Sequence, residues 1–337
     1  MVQQAVQKLV TGTSLGREEA AAAAEEIMAG EATPAQIAAF LIALRMKGET
    51  VEEISGMAEV MRAKSLHVAT GGDVVDVVGT GGDGMGTFNI STAAAVVTAA
   101  CGVKVAKHGN RAASGTVGSA DILEANGVKL ELTPGSVRRC IEEVGIGFMF
   151  APAFHPAMRF AGPVRRELGV RTVFNILGPL TNPAGAAYQV LGVGLPGIAE
   201  MMAGVLRALG TKHSWVVRGD DGLDELTTTA TTQVWEVAGT KIRHFQVSPE
   251  DAGLARAALA DVQVSGVDAH RSAFGAALGE GASAAKDIVM MNAAAALVVV
   301  GRAADLRAGV ATAREAIDGG AAARTLAALA TLSQTLE

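Results

Sequence analysis

The sequence predicts an α/β protein in two parts: a small all-helical domain, and a larger α/β domain with a mostly parallel central sheet flanked by helices. Three observations predict it. Residues 1–68 carry only helical patterns. From residue 74 onward, short β-branched runs alternate with glycine-rich loops and helical stretches. The last two strand candidates are separated only by Ala238-Gly239-Thr240, which predicts an antiparallel edge. The chain has 337 residues, half of them apolar, and a mean hydropathy of +0.33. Such a chain buries a large core, so disorder as its main state is excluded.

The helical part justifies itself in order. Arg17–Met28 is rich in alanine and glutamate. Thr33-Pro34-Ala35-Gln36 is a capping box with proline at the first helical position, followed by Ile37, Phe40, Leu41 and Leu44 at helical spacing. Thr50-Val51-Glu52-Glu53 is a second box, leading into Ile54, Met57, Val60 and Met61. The methionines in that stripe read as packing. The character changes at Gly71-Gly72. Val74–Val78 reads as a buried strand, Ser91–Ala100 as a helix, Val103–Lys107 as a second strand and Gly118–Asn126 as helical. Further strands are predicted at Tyr188–Val193, Ser214–Arg218, Gln233–Val237 and Lys241–Val247. Residues 287–337 return to helix, with Leu326, Leu329 and Leu332 keeping a packing face in the alanine-rich tail. The predicted division is 1–68 and 70–337.

Composition narrows the function. A net charge of −6 argues against a nucleic-acid binder held by bulk charge. Two distant cysteines, Cys101 and Cys140, form no disulfide framework, and a cytoplasmic setting is expected. No secretory leader pattern and no apolar run of about 20 residues is visible, so no membrane partner is expected. The six histidines are scattered and form no zinc pattern, and His67 and His244 read as surface residues. Gly12-Thr13-Ser14-Leu15-Gly16 fits G-x-S-x-G but lacks the preceding strand of a nucleophile elbow.

The 41 glycines are the informative excess. Gly79-Thr80-Gly81-Gly82-Asp83-Gly84-Met85-Gly86-Thr87 follows a strand and precedes a helix start at Asn89-Ile90-Ser91-Thr92. Close backbone approach and a helix N-terminus are grounds for a phosphate site. The same loop fits the G-x-G-x-x-G of dinucleotide binders, but the acidic residue about 20 positions on is missing. The loop Lys107–Ser119 supplies Lys107 and Arg111 with several neutral donors, which suits a modest polyanion. Gly219–Leu226 holds four carboxylates, of which Asp224 and Glu225 are hard ligands for Mg²⁺. Each loop by itself has an ordinary turn as its alternative reading. Together they assemble the two halves of a metal-bound diphosphate site.

GTGGD at 79–83, NIST at 89–92, KHGNR at 107–111 and GSAD at 118–121 occur in order. FMFAPAFHPAM at 148–158, VRRELGVRTVFNILGPLTNP at 164–183, DGLDEL at 221–226 and DIVMMNAAAAL at 287–297 follow. Over nearly its whole length the chain resembles the anthranilate phosphoribosyltransferases. The resemblance implies a fold like that of nucleoside phosphorylases and phosphoribosyltransferases, a helical domain that also takes in about 155–185, and a homodimer. It implies transfer of the phosphoribosyl group of phosphoribosyl pyrophosphate to anthranilate, a step of tryptophan biosynthesis. Carried over by position, the donor would be held by Gly79, Gly82, Asp83, Thr87, Asn89, Ile90, Ser91 and Thr92. Lys107, His108, Gly109, Asn110, Arg111, Ala112, Ala113, Ser114, Gly115 and Ser119 would complete its site. Gly79, Asn110 and Arg165 would bind anthranilate, and Ser91, Asp224 and Glu225 would ligate Mg²⁺. No dedicated nucleophile or base is implied. Thr116 and Val117 replace a cation and a hydroxyl common in the family, which implies fewer phosphate contacts. A pyrimidine nucleoside phosphorylase, a phosphoribosyltransferase with another acceptor and a catalytically silent scaffold are the rival readings. Residues 250–285 fit the family weakly and are assigned no site.

Overall fold

The computed structural model describes residues 1–112 and 117–337. Ala113, Ser114 and Gly115, expected at the donor, and the divergent Thr116 lie outside the described residues. Four helices open the chain: Val2–Leu9, Arg17–Ala29, Pro34–Lys47 and Val51–Ala63. Both capping boxes form. Thr33 Oγ1 accepts from the Gln36 amide at 3.3 Å, and the Thr33 amide donates to Gln36 Oε1 at 2.8 Å. Glu53 does more than cap. Its buried carboxylate also accepts from the Leu15 amide at 2.8 Å and pairs with Lys47 at 2.9 Å, which locks the link between the first two helices onto the fourth.

Seven strands form one sheet: β1 (Val75–Gly79), β2 (Val105–Gly109), β3 (Ile146–Phe150), β4 (Tyr188–Gly192), β5 (His213–Gly219), β6 (Thr232–Ala238) and β7 (Lys241–Val247). Their order is β3-β2-β1-β4-β5-β6-β7. The first five are parallel, and β6 and β7 add the antiparallel hairpin that the sequence predicts. β3 goes unrecognised in the sequence. Ile-Gly-Phe-Met-Phe is buried on both faces, so it shows no alternation, and a short apolar run has no period to tell strand from helix.

Side chains alternate across the sheet. Val190 and Val217 enter one core with the helices Ile90–Ala100 and Ala284–Val299. Their neighbours Leu191 and Val216 enter a second core, shared with helix Ala199–Ala208 and the N-terminal helices. Ala161, Val164, Phe174 and Leu177, from helices Met158–Leu168 and Phe174–Leu177, join that second core. The helical layer therefore reaches the C-terminal ends of the parallel strands. Among the described residues no helix is long and apolar enough to cross a membrane.

Candidate active site

The chain leaves β1 for β2 and β3 and returns on the other side as β4. The crevice beyond the ends of β1 and β4 is thus the switch point of the sheet, where ligands bind in open α/β folds. The two strands end with Gly79 opposite Gly192. Neither carries a Cβ, and Asp224 occupies the space. A Cβ on Gly192 would overlap the Asp224 carbonyl, and one on Gly79 would overlap its carboxylate. Gly81 and Gly82 follow with φ of 67° and 70°, a conformation that favours glycine. This turn aims the Gly81 amide at Asp224 Oδ2, 2.6 Å away. Asp83 closes the loop on itself by accepting from the Met85 amide at 3.1 Å. At the start of helix Ile90–Ala100 the Ser91 amide donates to Glu225 Oε1 at 3.2 Å.

The four carboxylates of the acidic loop divide into two jobs. Asp220 accepts from Gln233 at 2.9 Å, and Asp221 accepts from the Leu223 amide at 3.1 Å and the Thr227 hydroxyl at 2.6 Å. These two build the loop. Asp224 and Glu225 face the cleft. Asn292 fixes them there from helix Ala284–Val299. Its Oδ1 accepts from the Leu226 amide at 2.9 Å, and its Nδ2 donates to the Leu226 carbonyl at 2.8 Å.

Burial, together with the nearby charge of Asp83, pushes the Asp224 carboxyl up to about 7. Burial and the neighbouring Asp224 push Glu225 well above the usual carboxylate range. Lys107 is buried nearby and donates to the Val77 carbonyl at 2.7 Å. Burial lowers its pKa, opposed by Asp76, Glu225 and Asp224. A divalent cation fits this donor set. Two oxygen ligands crowd together at a cost that a cation relieves. Among the described residues no three His, Cys, Asp or Glu side chains converge as a closed cage.

A cleft of about 600 Å³ lies over this floor. Of the sequence-predicted residues it gathers Gly79, Gly82, Asp83, Thr87, Asn89, Ile90, Ser91, Lys107, His108, Gly109, Asn110, Arg111, Ala112, Ser119, Asp224 and Glu225. Thr92 is buried one step behind the wall, its hydroxyl without a partner among the described residues. Arg111 is turned to Asp121 at 2.7 Å and Glu124 at 2.8 Å, and the Ala112 amide donates to Asp121 at 3.3 Å. Asp121 thus shapes the described part of the second loop.

A second cavity of about 510 Å³ opens beside the first. The two share Gly79, Thr80, His108, Gly109, Asn110 and Asn175. Arg165 lines it, with its guanidinium 5.2 Å over the Phe174 ring and no hydrogen bond or ion pair among the described residues. His108 and His155 line it too, their ring centroids 5.0 Å apart and both Nε2 atoms buried without a partner among the described residues. Burial drops their pKa values to about 3 and about 4, so both are neutral at pH 7.

Sequence reasoning missed His155, Arg171, Asn175 and Asn292. Arg171 lines the first cleft, donates to the Gly82 carbonyl, and accepts on its own carbonyl from Arg45 of the N-terminal helices. All four lie inside motifs that were recognised as blocks. Nothing in a linear motif says which of its side chains turns inward.

The model of the glycosyl transferase family a/b domain matches residues 71–323, and that of the family's helical bundle domain matches 3–65. An anthranilate phosphoribosyltransferase of Afipia carboxidovorans is 52% identical over 327 residues, 97% of each chain. The chain belongs to the anthranilate phosphoribosyltransferase family. Solved structures agree. The family's Thermus thermophilus enzyme superposes with a TM-score of 0.92 at 44% identity, covering 98% of this chain and 99% of that one. The Saccharomyces cerevisiae enzyme, in complex with phosphoribosyl pyrophosphate and Mg, gives 0.92 at 26% identity over 99% and 98%.

Proposed function

We propose that the chain transfers the phosphoribosyl group of 5-phosphoribosyl 1-pyrophosphate to the amine of anthranilate. The products are N-(5-phosphoribosyl)anthranilate and pyrophosphate, in tryptophan biosynthesis. One observation carries the reading: two cavities of unlike chemistry meet at Gly79 and Asn110. The first has glycine amides, a helix N-terminus and a carboxylate pair, which suits a metal-bound diphosphate. The second has Arg165 above an aromatic ring, with no hydrogen-bond or ion-pair partner among the described residues, which suits a flat ring bearing a carboxylate.

In this reading the sequence-predicted residues that line the first cleft hold the donor, with Arg171 added to them. Asp224, Glu225 and Ser91 hold Mg²⁺. When bound, the cation neutralises charge that grows on pyrophosphate as it leaves. Lys107 and the loop amides are placed to stabilise the same charge. Gly79 and Asn110 lie where the two substrates meet, and Arg165 anchors the acceptor so that its amine faces the ribosyl carbon. The aromatic amine is neutral at pH 7, so its lone pair attacks without prior loss of a proton. His108 and His155, kept neutral by burial, add no positive charge beside an oxocarbenium-like carbon. After the new C–N bond has formed, the proton on the nitrogen passes to water or to the released pyrophosphate.

In this reading residues 1–68 with about 155–185 form one unit, and the rest of 70–337 forms the donor-binding α/β domain. A homodimer through the helical unit would cover Val10 and Met46, which are 68% and 83% exposed. Loss of anthranilate fluorescence in the presence of phosphoribosyl pyrophosphate and Mg²⁺ tests the activity. No loss, or equal loss without the donor, rejects it. Phosphate-dependent cleavage of a pyrimidine nucleoside would favour the phosphorylase reading instead.

A further inference from the structure

Residues 259–270 lie between the hairpin and the C-terminal helices, in the stretch where the sequence shows no site. They run along the outer limb of the glycine-rich loop. Gln263 Nε2 donates to the Met85 carbonyl at 2.8 Å, and the Val264 amide donates to the Gly86 carbonyl at 2.9 Å. Thr87 and Gln263 form an isolated antiparallel bridge. Val262 is buried beneath, and after Gly266 the chain turns into helix Val267–Leu278. The first turn of that helix brings His270 Nδ1 to within 3.2 Å of Asn89 Oδ1.

Asn89 joins the two loops of the cleft. Its Nδ2 donates to the Val117 carbonyl at 3.0 Å, at the far end of the second loop. That bond leaves Asn89 Oδ1 facing His270, which donates from Nδ1. The opposite amide orientation would set Oδ1 against the Val117 carbonyl, oxygen to oxygen. The Val117 carbonyl therefore sets the amide orientation, and His270 holds the Asn89 oxygen in it.

We propose that Gln263 and His270 are positioning residues for the phosphoribosyl donor, clamping the Met85–Asn89 limb and, through Asn89, its tie to the Val117 carbonyl. The clamp rests on the functional reading above. The contacts named above lie on the donor side, away from the residues that line the acceptor cavity, so the clamp acts on one substrate selectively.

The test uses the full-length protein with Mg²⁺. KM for each substrate is measured, with calorimetric binding of phosphoribosyl pyrophosphate as a readout besides turnover. Loss of one such hydrogen bond weakens binding about three- to tenfold. Gln263→Ala and His270→Ala are expected to raise donor KM and Kd by that factor and leave anthranilate KM within about twofold. His270→Asn keeps a donor near the Nδ1 position and is expected to recover wild-type donor affinity. Donor constants unchanged in both alanine variants overturn the proposal. So does an equal rise for both substrates that His270→Asn fails to reverse. Where His270→Ala unfolds, the exposed Gln263 decides. A wild-type protein that binds donor but does not consume anthranilate rejects the functional reading, while donor affinity in the variants still judges the clamp.

Discussion

Gly79 and Asp224 touch with no room for a side chain between them. The contact exists because β1 and β4 end in facing glycines, and the acidic loop drops into the gap. It places one carboxylate directly above the strand ends, within reach of the Gly81 amide.

Gly79→Ala is therefore expected to displace the Asp224 carboxylate. Overpacking of this kind costs about 1–3 kcal/mol. The melting temperature should fall by several degrees, and the Mg²⁺ concentration for half-maximal rate should rise. Gly192→Ala should be worse, because its Cβ meets the backbone of Asp224, which cannot rotate away. Thermal melts and Mg²⁺ titrations check both. A Gly79→Ala enzyme with wild-type Mg²⁺ dependence would show that Asp224 does not serve the cation.

Asn292 never reaches the cleft, yet it holds the acidic loop at both polar groups of Leu226. Asn292→Ala leaves a buried amide and carbonyl unpaired, at about 1–3 kcal/mol each. We expect a destabilised protein with weaker Mg²⁺ use and an anthranilate KM close to wild type. A rise in anthranilate KM alone would contradict this.

Arg165 has no partner among the described residues, and burial already lowers its pKa. Arg165→Ala should raise KM for anthranilate about 10- to 100-fold, the worth of a charge-assisted hydrogen bond. Donor KM should change much less. Equal effects on the two substrates would remove Arg165 from the acceptor site.

Stability should fall in acid through His108 and His155. Their folded pKa values, about 3 and about 4, lie below the ordinary value of 6.5. As pH drops below 6.5 the unfolded chain takes up protons at these positions while the folded chain does not. Their contribution is present above pH 6.5 and is lost as pH falls toward 4, at most about 1.4 kcal/mol per pH unit for each ring. Melting temperatures between pH 7 and 4.5 check this. A His108→Gln, His155→Gln double variant should lose less over that interval, and an identical slope would refute the assignment.

The sequence by itself determined the α/β class, the helical start, six of the seven strands and the three loops that meet at the switch point. It could do so because capping boxes, β-branched runs and glycine-rich turns are local signals, written within a few residues. Tertiary structure alone decided what each charged side chain does. Asp220 and Asp221 stand beside Asp224 in the chain, but their partners, Gln233 and Thr227, turn them into the loop. Arg111 lines the cleft, and its guanidinium there also pairs with Asp121 and Glu124. Asn292 and His270 hold the site's loops from distant helices, His155 lines the acceptor cavity from just beyond helix Ala151–Phe154, and no local pattern records such contacts. A side chain's role follows from what packs against it, and packing joins residues by distance in space.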